Sequence, residues 1–502
     1  MKKQNVSINQ LNNKKYLIPE FLDDKKQIDF FLNLNKGKKV VVVQGLGFVG
    51  AVMSLVCANA LKEEYAVIGV DLADTNNYWK IKSINDGLFP VIASDPKIEE
   101  YYNISKNKKN FYATYDSYAY SKADIIIVDI NLDVQKKTKF NGDLLNYEVD
   151  LSNFKKAIKI IGDNCKEDCL ILVETTVPPG TCQKVVKPII EKSLKSRNLC
   201  TDKFKLGHSY ERVMPGPDYI DSIQNFYRVY SGVDVNSANS TEIFLKTIIS
   251  TKKYPLTRLG NTNSSELSKV LENSYRAMNI AFATEWSRFA EESEVNLYEV
   301  IDAIRMRPTH SNLMYPGIGV GGYCLTKDPL LASWAKQEHF SSNEALSQSE
   351  RGVEINDKMP FFAFQFMKNV FNIENLNNKK ILFLGVSYRS NVGDTRFTPV
   401  ERFYNFCKHE GAEISLHDPY VSYWEELNLK VNSDLLSSLN NNIEILIIST
   451  SHDEYKNSNI LIDEIMKKDN MFILDTVGLF TQNEIDILIE KHKIKVLGRG
   501  DL

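Results

Sequence analysis

Hydrophobic positions along the chain fall into two repeating series separated by one long helical stretch. From Lys38, short unbroken apolar runs alternate with stretches of helical period, the pattern of a parallel sheet whose crossovers are helices. The runs predict strands at Lys39–Gln44, Ala66–Asp71, Asp124–Ile130, Cys169–Glu174 and Arg228–Ser231, with helices at Val49–Leu61, Asn153–Gly162 and Thr181–Lys195. The second series begins near Asn378 and predicts strands at Lys380–Val386, Glu413–His417, Glu444–Ser449 and Met471–Asp475. Between them, no Gly or Pro occurs from Gly260 to Pro308. Leu267, Val270, Leu271, Ser274, Met278, Phe282, Trp286 and Phe289 recur there at helical spacing, behind an N-cap predicted at Asn263 with Glu266 as its reciprocal partner. A helix of about 30 residues would run about 45 Å, too long for one average domain. Such a helix bridges two domains and often pairs with its own copy in a dimer. The predicted fold class is α/β, with two Rossmann-like doubly wound domains joined by a long central helix and a helical linker domain.

Composition narrows the function classes without choosing among them. At 502 residues the chain predicts about three domains, and 43% apolar with 25% charged residues excludes general disorder. Lys+Arg 61 against Asp+Glu 64 leaves a net charge of −3, so no general attraction to nucleic acid or to an anionic membrane is expected. Seven cysteines, an odd number, read as reduced thiols of a cytoplasmic protein rather than a disulfide framework. Cys165 and Cys169 have no second Cys or His pair at zinc-site spacing, so no metal is expected. The basic N-terminus lacks the apolar core of a signal peptide. Val40–Leu61 is uncharged and long enough to span a bilayer, but Gln44, Asn59 and three glycines at phosphate-loop spacing make it a strand, turn and helix. No membrane segment is therefore expected.

Two motifs carry candidate chemistry. Gly45-Leu-Gly47-Phe48-Val49-Gly50 follows an apolar strand and opens a helix, so its glycines permit a tight turn and let a pyrophosphate approach the positive helix end. Asp71 ends the next strand, where a carboxylate can accept from both ribose hydroxyls and would repel a 2′-phosphate. NAD is thus expected over NADP. The second motif runs from Pro316 to Pro329, with Gly317, Gly319, Gly321 and Gly322 ahead of Cys324, Lys327 and Asp328. These glycines let the backbone close on a ligand and offer bare N–H groups to anionic oxygens. Cys324 falls where a helix over Leu325–Gln337 is predicted to begin, a position that lowers a thiol pKa, and Asp328 lies one turn on. Lys269 and Asn273 are also four apart, on a face of the long helix away from its apolar stripe.

Taken in order, these segments with Glu174-Thr-Thr176-Val-Pro-Pro-Gly-Thr181, Tyr210-Glu211-Arg212-Val-Met-Pro-Gly216 and Gly385-Val-Ser-Tyr388-Arg389-Ser-Asn-Val-Gly-Asp394-Thr-Arg396 resemble the UDP-glucose/GDP-mannose dehydrogenase family. His417-Asp418-Pro419 and the segment from Ser449 to Asp453 resemble its C-terminal, UDP-binding domain. The resemblance runs from about Lys38 to the C-terminus. Residues 1–36, polar and Lys/Asn-rich, read as an extension ahead of the fold, and the resemblance implies an NAD-binding domain over 37–250, a central helical dimerisation domain with the cysteine loop over 251–357, and a UDP-sugar-binding domain over 358–502. The implied reaction is a four-electron oxidation at C6 of a UDP-sugar, in which Cys324 holds the aldehyde covalently between two hydride losses to NAD. By the same resemblance Lys269 stabilises the oxyanion, Asn273 and Asp328 hold the water, and Glu211 is the acid/base for thioester hydrolysis. Lys327 and Thr176 would lie near the cofactor, while Arg212, Gly321, Arg389 and Arg396 would serve the nucleotide sugar and Arg307 a neighbour's site. A homodimer or higher homo-oligomer is implied.

The chain departs from the family pattern in two places. Asn131-Leu132-Asp133 replaces the usual Thr-Pro-Thr turn, so the hydroxyl that helps position the catalytic water is missing at Leu132. The family also normally begins almost at the glycine loop, and here 36 residues precede it. The sugar signals disagree: Tyr-Glu-Arg-Val-Met-Pro-Gly resembles the UDP-N-acetylhexosamine branch, and Tyr-Cys-Leu-Thr-Lys-Asp the UDP-glucose branch. The former is slightly favoured. The Leu132 departure motivates an alternative, a catalytically impaired sugar-nucleotide-binding regulator. A two-electron hydroxyacid dehydrogenase on the same scaffold would need neither Cys324 nor UDP.

Overall fold

The computed structural model describes residues 5–21, 23–91, 94–213, 216–456 and 459–502. Met214 and Pro215, within the segment that begins at Tyr210, lie outside them. The chain forms two units, one of residues 1–133, 149–270 and 334–343, the other of 134–148, 271–333 and 344–502.

In the first unit, strands β1 (Val6–Ile8) and β2 (Lys15–Leu17) form an antiparallel hairpin, followed by α1 (Lys25–Leu34). The sequence reads 1–36 as a polar extension standing ahead of the fold, and its described residues are 5–21 and 23–36. They are folded instead, with Ser7, Asn9, Tyr16, Ile28 and Phe31 buried, because the helical patch over Gln27–Leu34 has an apolar side that docks. The main sheet then follows from β3 (Lys39–Gln44), β4 (Tyr65–Val70), β5 (Phe111–Thr114) and β6 (Ile125–Val128). The chain next makes β7 (Val134–Thr138) and β8 (Leu144–Val149), a separate two-stranded sheet. It returns with β9 (Leu170–Val173), β10 (Lys205–His208), β11 (Val229–Gly232) and β12 (Thr257–Arg258). The order across the eight-stranded sheet is β12-β11-β10-β9-β6-β3-β4-β5, parallel except where β10 meets β11. The two halves part at β3 and β6, the crevice where an open α/β sheet binds its ligand. Helix α2 (Phe48–Ala58) leaves β3 through the glycine loop, and α3 (Tyr78–Asp86) follows β4.

The second unit holds a five-stranded parallel sheet in the order Glu413–His417, Lys380–Leu384, Ile445–Ile448, Phe472–Asp475 and Lys493–Val496. Its switch point falls after Lys380–Leu384, where Gly385–Arg396 and Ser449–Asp453 emerge side by side. The hairpin of residues 134–148 belongs here rather than with the strands flanking it in sequence. Lys136 pairs with Asp357 at 2.6 Å, Arg402 donates to Thr138 Oγ1 at 2.9 Å, and Phe140 packs edge-on against Phe406.

The central helix spans Thr262–Glu292, 31 residues, and the boundary between units falls within it at Val270/Leu271. The predicted cap is not the one used. Asn261 Oδ1 accepts from Ser264 N, while the Glu266 carboxylate, fully buried, accepts from Gly180 N at 2.6 Å and Cys182 N at 2.8 Å. Two bare N–H groups in the turn into Cys182–Val186 outcompete the helix's own first turn for that acceptor.

Further along the same helix, Glu291 accepts from Gly498 N at 2.9 Å, and burial pushes its carboxyl up to about 7. An acid raised in the folded state takes up a proton there that the unfolded chain does not hold, so its ionisation destabilises as pH climbs from about 4.5 to 7. Glu291→Gln keeps the acceptor and removes the charge. Relative to wild type it should be more stable by about 2 kcal/mol at pH 8, with the difference fading towards pH 5. Denaturant titrations of both chains at the two pH values check this, and a pH-independent difference would contradict it.

Candidate active site

In the first unit the glycine loop is shaped by three different requirements. Gly45 has φ +96°, and a Cβ there would stand 2.3 Å from Asp129 O. A Cβ on Gly50 would meet Gly45 O at 2.0 Å, so this glycine is needed for helix and strand to close up. Gly47 differs, because a Cβ on it would meet nothing within 4 Å. Packing does not demand that glycine, and the open space beside the start of α2 suits a dinucleotide pyrophosphate drawn to the helix end. Phe48 and Val49 begin that helix, and Phe48 is exposed. Asp71 closes the crevice at the end of β4. Its Oδ2 accepts from Leu46 N at 3.0 Å, its Oδ1 accepts from Leu72 N at 2.7 Å, and Lys80 Nζ lies 4.0 Å away. Burial raises its pKa against the pull of Lys80 and these N–H groups. The residues present fit NAD.

Beside the crevice, the strand ends bring together charges that the sequence reading passed over. Asp129 directly follows β6 and Glu174 directly follows β9, adjacent parallel strands in register at Val128 and Val173, so both carboxyls emerge at one edge. Arg228, just before β11, pairs with Glu174, and its Nε donates to Ser209 Oγ at 3.2 Å. Asp129 Oδ2, Glu174 Oε2 and Arg228 Nη1 are buried without a hydrogen-bond partner among the described residues. Burial, followed by Glu174 and Glu211, pushes the Asp129 carboxyl well up. Acids closing neighbouring apolar runs were the available signal. Thr175, rather than Thr176, ties the edge: its Oγ1 donates to Val128 O and accepts from Ile130 N. Thr176 is half-buried, and Leu132, four residues beyond the end of β6, is buried.

Glu211 and Lys269 meet in this unit. Lys269, 6% exposed, donates from Nζ to Glu211 O at 2.8 Å and lies over the Tyr210 ring. The Glu211 carboxylate turns back onto Val213 N. Arg212 donates to Tyr227 O at 3.0 Å and stacks over Tyr210 and Phe226.

The second unit carries the cysteine. Cys324 is exposed, and its carbonyl accepts from Asp328 N at 2.9 Å, the first α-helical bond. Pro329 has no N–H to make the next such bond, and the regular helix spans Asp328–Glu338, three residues later than predicted. Asp328 is fully buried and held from both sides, by Lys327 Nζ at 2.8 Å and Asn273 Nδ2 at 2.6 Å. Lys327 also lies over the Tyr323 ring at 4.5 Å.

The glycines before Cys324 were expected to bare their N–H groups to a ligand. One of those N–H groups is taken by the chain itself, and a second glycine is crowded by it. Gly322 N donates to Arg396 O at 3.1 Å, and a Cβ on Gly321 would lie 2.4 Å from Tyr388 Cβ and 3.0 Å from Phe397 O. The loop of residues 388–397 thus sets the position of the cysteine turn, a role for Tyr388 that its place in the Gly385–Arg396 motif did not show. Gly321→Ala must displace one loop or the other. The expected result is a fall in kcat of about 100-fold, with Tm lowered by only a few degrees; unchanged kcat would show that the packing is not needed.

Arg389 is exposed at the sheet switch point, and Arg396 is gripped by Asp394 through Nε and Nη2 at 2.9 and 2.7 Å. Arg307 is exposed beside the 3₁₀ turn Pro308–His310. The Gly385–Arg389 turn is braced from below. Asp418 Oδ2 accepts from Val386 N, Ser387 N, Ser387 Oγ and His452 Nε2, while His452 Nδ1 accepts from Asn391 N at 2.9 Å. All three side chains are buried, which makes the Ser-His-Asp grouping a brace rather than a hydrolytic site. Among the described residues no cluster suits a metal, and no helix is long and apolar enough to cross a membrane.

A dinucleotide crevice with its acid, a second α/β sheet with a braced switch-point loop and a cysteine turn define an NAD-dependent nucleotide-sugar dehydrogenase. The three family models agree, matching the NAD binding domain over 38–248, the central domain over 263–358 and the UDP binding domain over 382–482. The chain belongs to the UDP-glucose/GDP-mannose dehydrogenase family. It is 30% identical over 472 residues to the UDP-N-acetyl-D-mannosamine dehydrogenase of Methanocaldococcus jannaschii, covering 93% of this chain and 97% of that one. The enzyme of the same name from Methanococcus vannielii is 29% identical over 469 residues, covering 93% and 98%. The solved structure of UDP-D-ManNAc dehydrogenase from Pyrococcus horikoshii superposes with a TM-score of 0.76 at 26% identity, over 92% of this chain and all of that one.

Proposed function

We propose that this chain oxidises the C6 hydroxyl of a UDP-sugar to the uronic acid, a four-electron reaction, with a UDP-N-acetylhexosamine favoured over UDP-glucose. The observation that carries the reading is an exposed thiol one helical turn from a buried carboxylate clamped by Lys327 and Asn273. That the two archaeal relatives are UDP-N-acetyl-D-mannosamine dehydrogenases supports the N-acetylated sugar. NAD, when bound at the glycine loop, accepts one hydride in each of two oxidations.

The chain's own residues do the remainder. The Cys324 thiol adds to the C6 aldehyde, giving a thiohemiacetal that is oxidised to a thioester, and water then releases the acid and restores the thiol. Asp328, fixed from both sides, and Asn273 hold and polarise that water. Lys269 supplies positive charge to the developing oxyanion, and Glu211 exchanges the protons of thioester hydrolysis. Arg389, Arg396 and Arg212 serve the nucleotide sugar, and Gly321 acts by letting the cysteine turn pack against Tyr388. Thr176 and Lys327 serve the cofactor side, although the Lys327 ammonium is also bonded to Asp328.

The oligomer is inferred from the central helix. Leu271, Tyr275, Phe282, Trp286 and Phe289 recur at intervals of three, four or seven residues and are each roughly half exposed, an apolar stripe that a second copy would cover. Arg307 would then serve the neighbour's site.

A second reading, the impaired sugar-nucleotide-binding regulator, is favoured by Leu132, an apolar residue 2% exposed where a hydroxyl is usual. One assay separates the two. NADH release is followed with UDP-N-acetylmannosamine, UDP-N-acetylglucosamine, UDP-N-acetylgalactosamine, UDP-glucose and GDP-mannose. The dehydrogenase reading expects two NADH per sugar with an N-acetylated UDP-sugar as the best substrate. Binding of UDP-sugar with no NADH from any of them would leave only the regulator.

A further inference from the structure

We propose that the N-terminal arm, residues 5–36, is a positioning element for the dinucleotide. Through Ser7 and Asp24 it fixes the backbone on both sides of Asp71 and so sets the affinity for the adenosine half of NAD. The inference rests on the reading that Asp71 receives the ribose hydroxyls.

The arm lies outside the span matched by the NAD-binding family model, which begins at residue 38. Its contacts are nonetheless concentrated around one place. Ser7, fully buried, donates from Oγ to Thr75 O at 2.8 Å and accepts from Trp79 N at 3.0 Å. Trp79 N sits in the first turn of α3, where N–H groups have no intrahelical acceptor, and the cap residue Asn77 gives that turn no side-chain bond. One hydroxyl from a distant part of the sequence therefore caps α3 and anchors the loop leading into it. Asn9, also buried, adds a second tie, donating from Nδ2 to Ser83 Oγ at 2.8 Å. This helix carries Lys80, the cation beside Asp71.

The other flank is held by Asp24. Its carboxylate accepts from Tyr112 OH at 2.8 Å and Thr114 Oγ1 at 2.6 Å, and its N–H donates to Asp116 Oδ2 at 2.9 Å. The Thr114 carbonyl in turn receives Asp71 N at 3.1 Å. Both the segment after Asp71 and the strand end beside it are thus tied to the arm. Freed from these ties, the wall would gain conformational freedom that dinucleotide binding must remove again, which weakens binding without touching the reacting end.

The test is steady-state kinetics with calorimetric NAD binding on full-length chains. Ser7→Ala should raise KM for NAD by about 5- to 20-fold, the loss of one or two hydrogen bonds. Its kcat at saturating NAD and its KM for the UDP-sugar should match wild type. Asp24→Ala, acting from the other flank, should do the same and stands in if Ser7→Ala does not fold. Lys14→Ala, which removes the exposed pair with Asp86 and the ammonium over the Tyr16 ring but leaves the Ser7 and Asp24 ties in place, should change none of these values. A lowered Tm with unchanged KM for NAD in both variants would reduce the arm to a stability element and overturn the proposal. Asp71→Ala separates this from the reading beneath it. If that variant keeps the wild-type KM for NAD, the ribose placement is wrong and the inference falls with it. If it raises KM while the arm variants do not, the arm's role alone is overturned.

Discussion

Cys324→Ser should lower acid formation by at least about 1,000-fold, while UDP-sugar affinity stays within about twofold. A serine hydroxyl is of similar size but remains protonated near neutral pH, whereas a thiol is a few per cent thiolate and far more nucleophilic. The side chain is exposed, and the turn that carries it is held by backbone bonds from Lys327 and Asp328 to the Cys324 carbonyl, which the substitution leaves in place. Loss of turnover would therefore report on the nucleophile and not on the fold. The measurement is NADH release together with mass spectrometry of the intact protein for a covalent sugar adduct. Undiminished acid formation would remove the thioester from the mechanism.

Arg228→Met is expected to be the most destabilising single change, at about 3–5 kcal/mol. Its guanidinium is 3% exposed, and it is the cation paired with Glu174, itself fully buried and next to Asp129. Removing it leaves a buried carboxylate with no compensating charge, and the chain must protonate that group or admit water to it. The unfolding midpoint should fall by about 10 °C. Glu174→Gln combined with Arg228→Met should recover part of the loss, because the stranded charge is gone. A drop below about 2 °C for the single variant would mean that the pair is solvated in solution.

These two residues were not equally legible. Cys324 announced itself through glycines, a charged pair and a turn into a helix, all local in sequence. Arg228 sat at the edge of a predicted strand and looked unremarkable. Its partner Glu174 lies 54 residues earlier, and only the parallel register of β6 and β9 puts Asp129 beside Glu174. The strands themselves were read well, to within a residue or two at most ends, because an apolar run flanked by turn residues is a local signal. Short strands such as Phe111–Thr114, Lys205–His208 and Lys493–Val496 escaped, since their burial comes from neighbours rather than from their own pattern.

The cysteine-loop glycines teach the opposite lesson. From sequence, four of them in six residues look like a phosphate cradle. In the structure Gly321 and Gly322 are small because Tyr388 and Phe397 press against them. A glycine reports that space is tight or that the backbone is unusual, but not which object fills the space. Gly47, with open space beside it, is the case where the ligand reading survives.

By itself the sequence determined what depends on neighbours along the chain. That includes the alternation of apolar runs and helices, the strand–glycine loop–helix with an acid closing the next strand, the long uninterrupted helix, and the cysteine turn with Asp328 one turn on. What depends on partners far apart in the chain was set by packing in three dimensions. That packing sent Glu266 to Gly180 and Cys182 instead of its own helix end, folded residues 134–148 into the second unit, and tied the first residues of the arm around Asp71. A helical or strand period is written in spacing, which the backbone repeats locally. The partner of a buried polar atom is chosen by whichever donor the whole fold brings within about 3 Å, and no spacing rule records that choice.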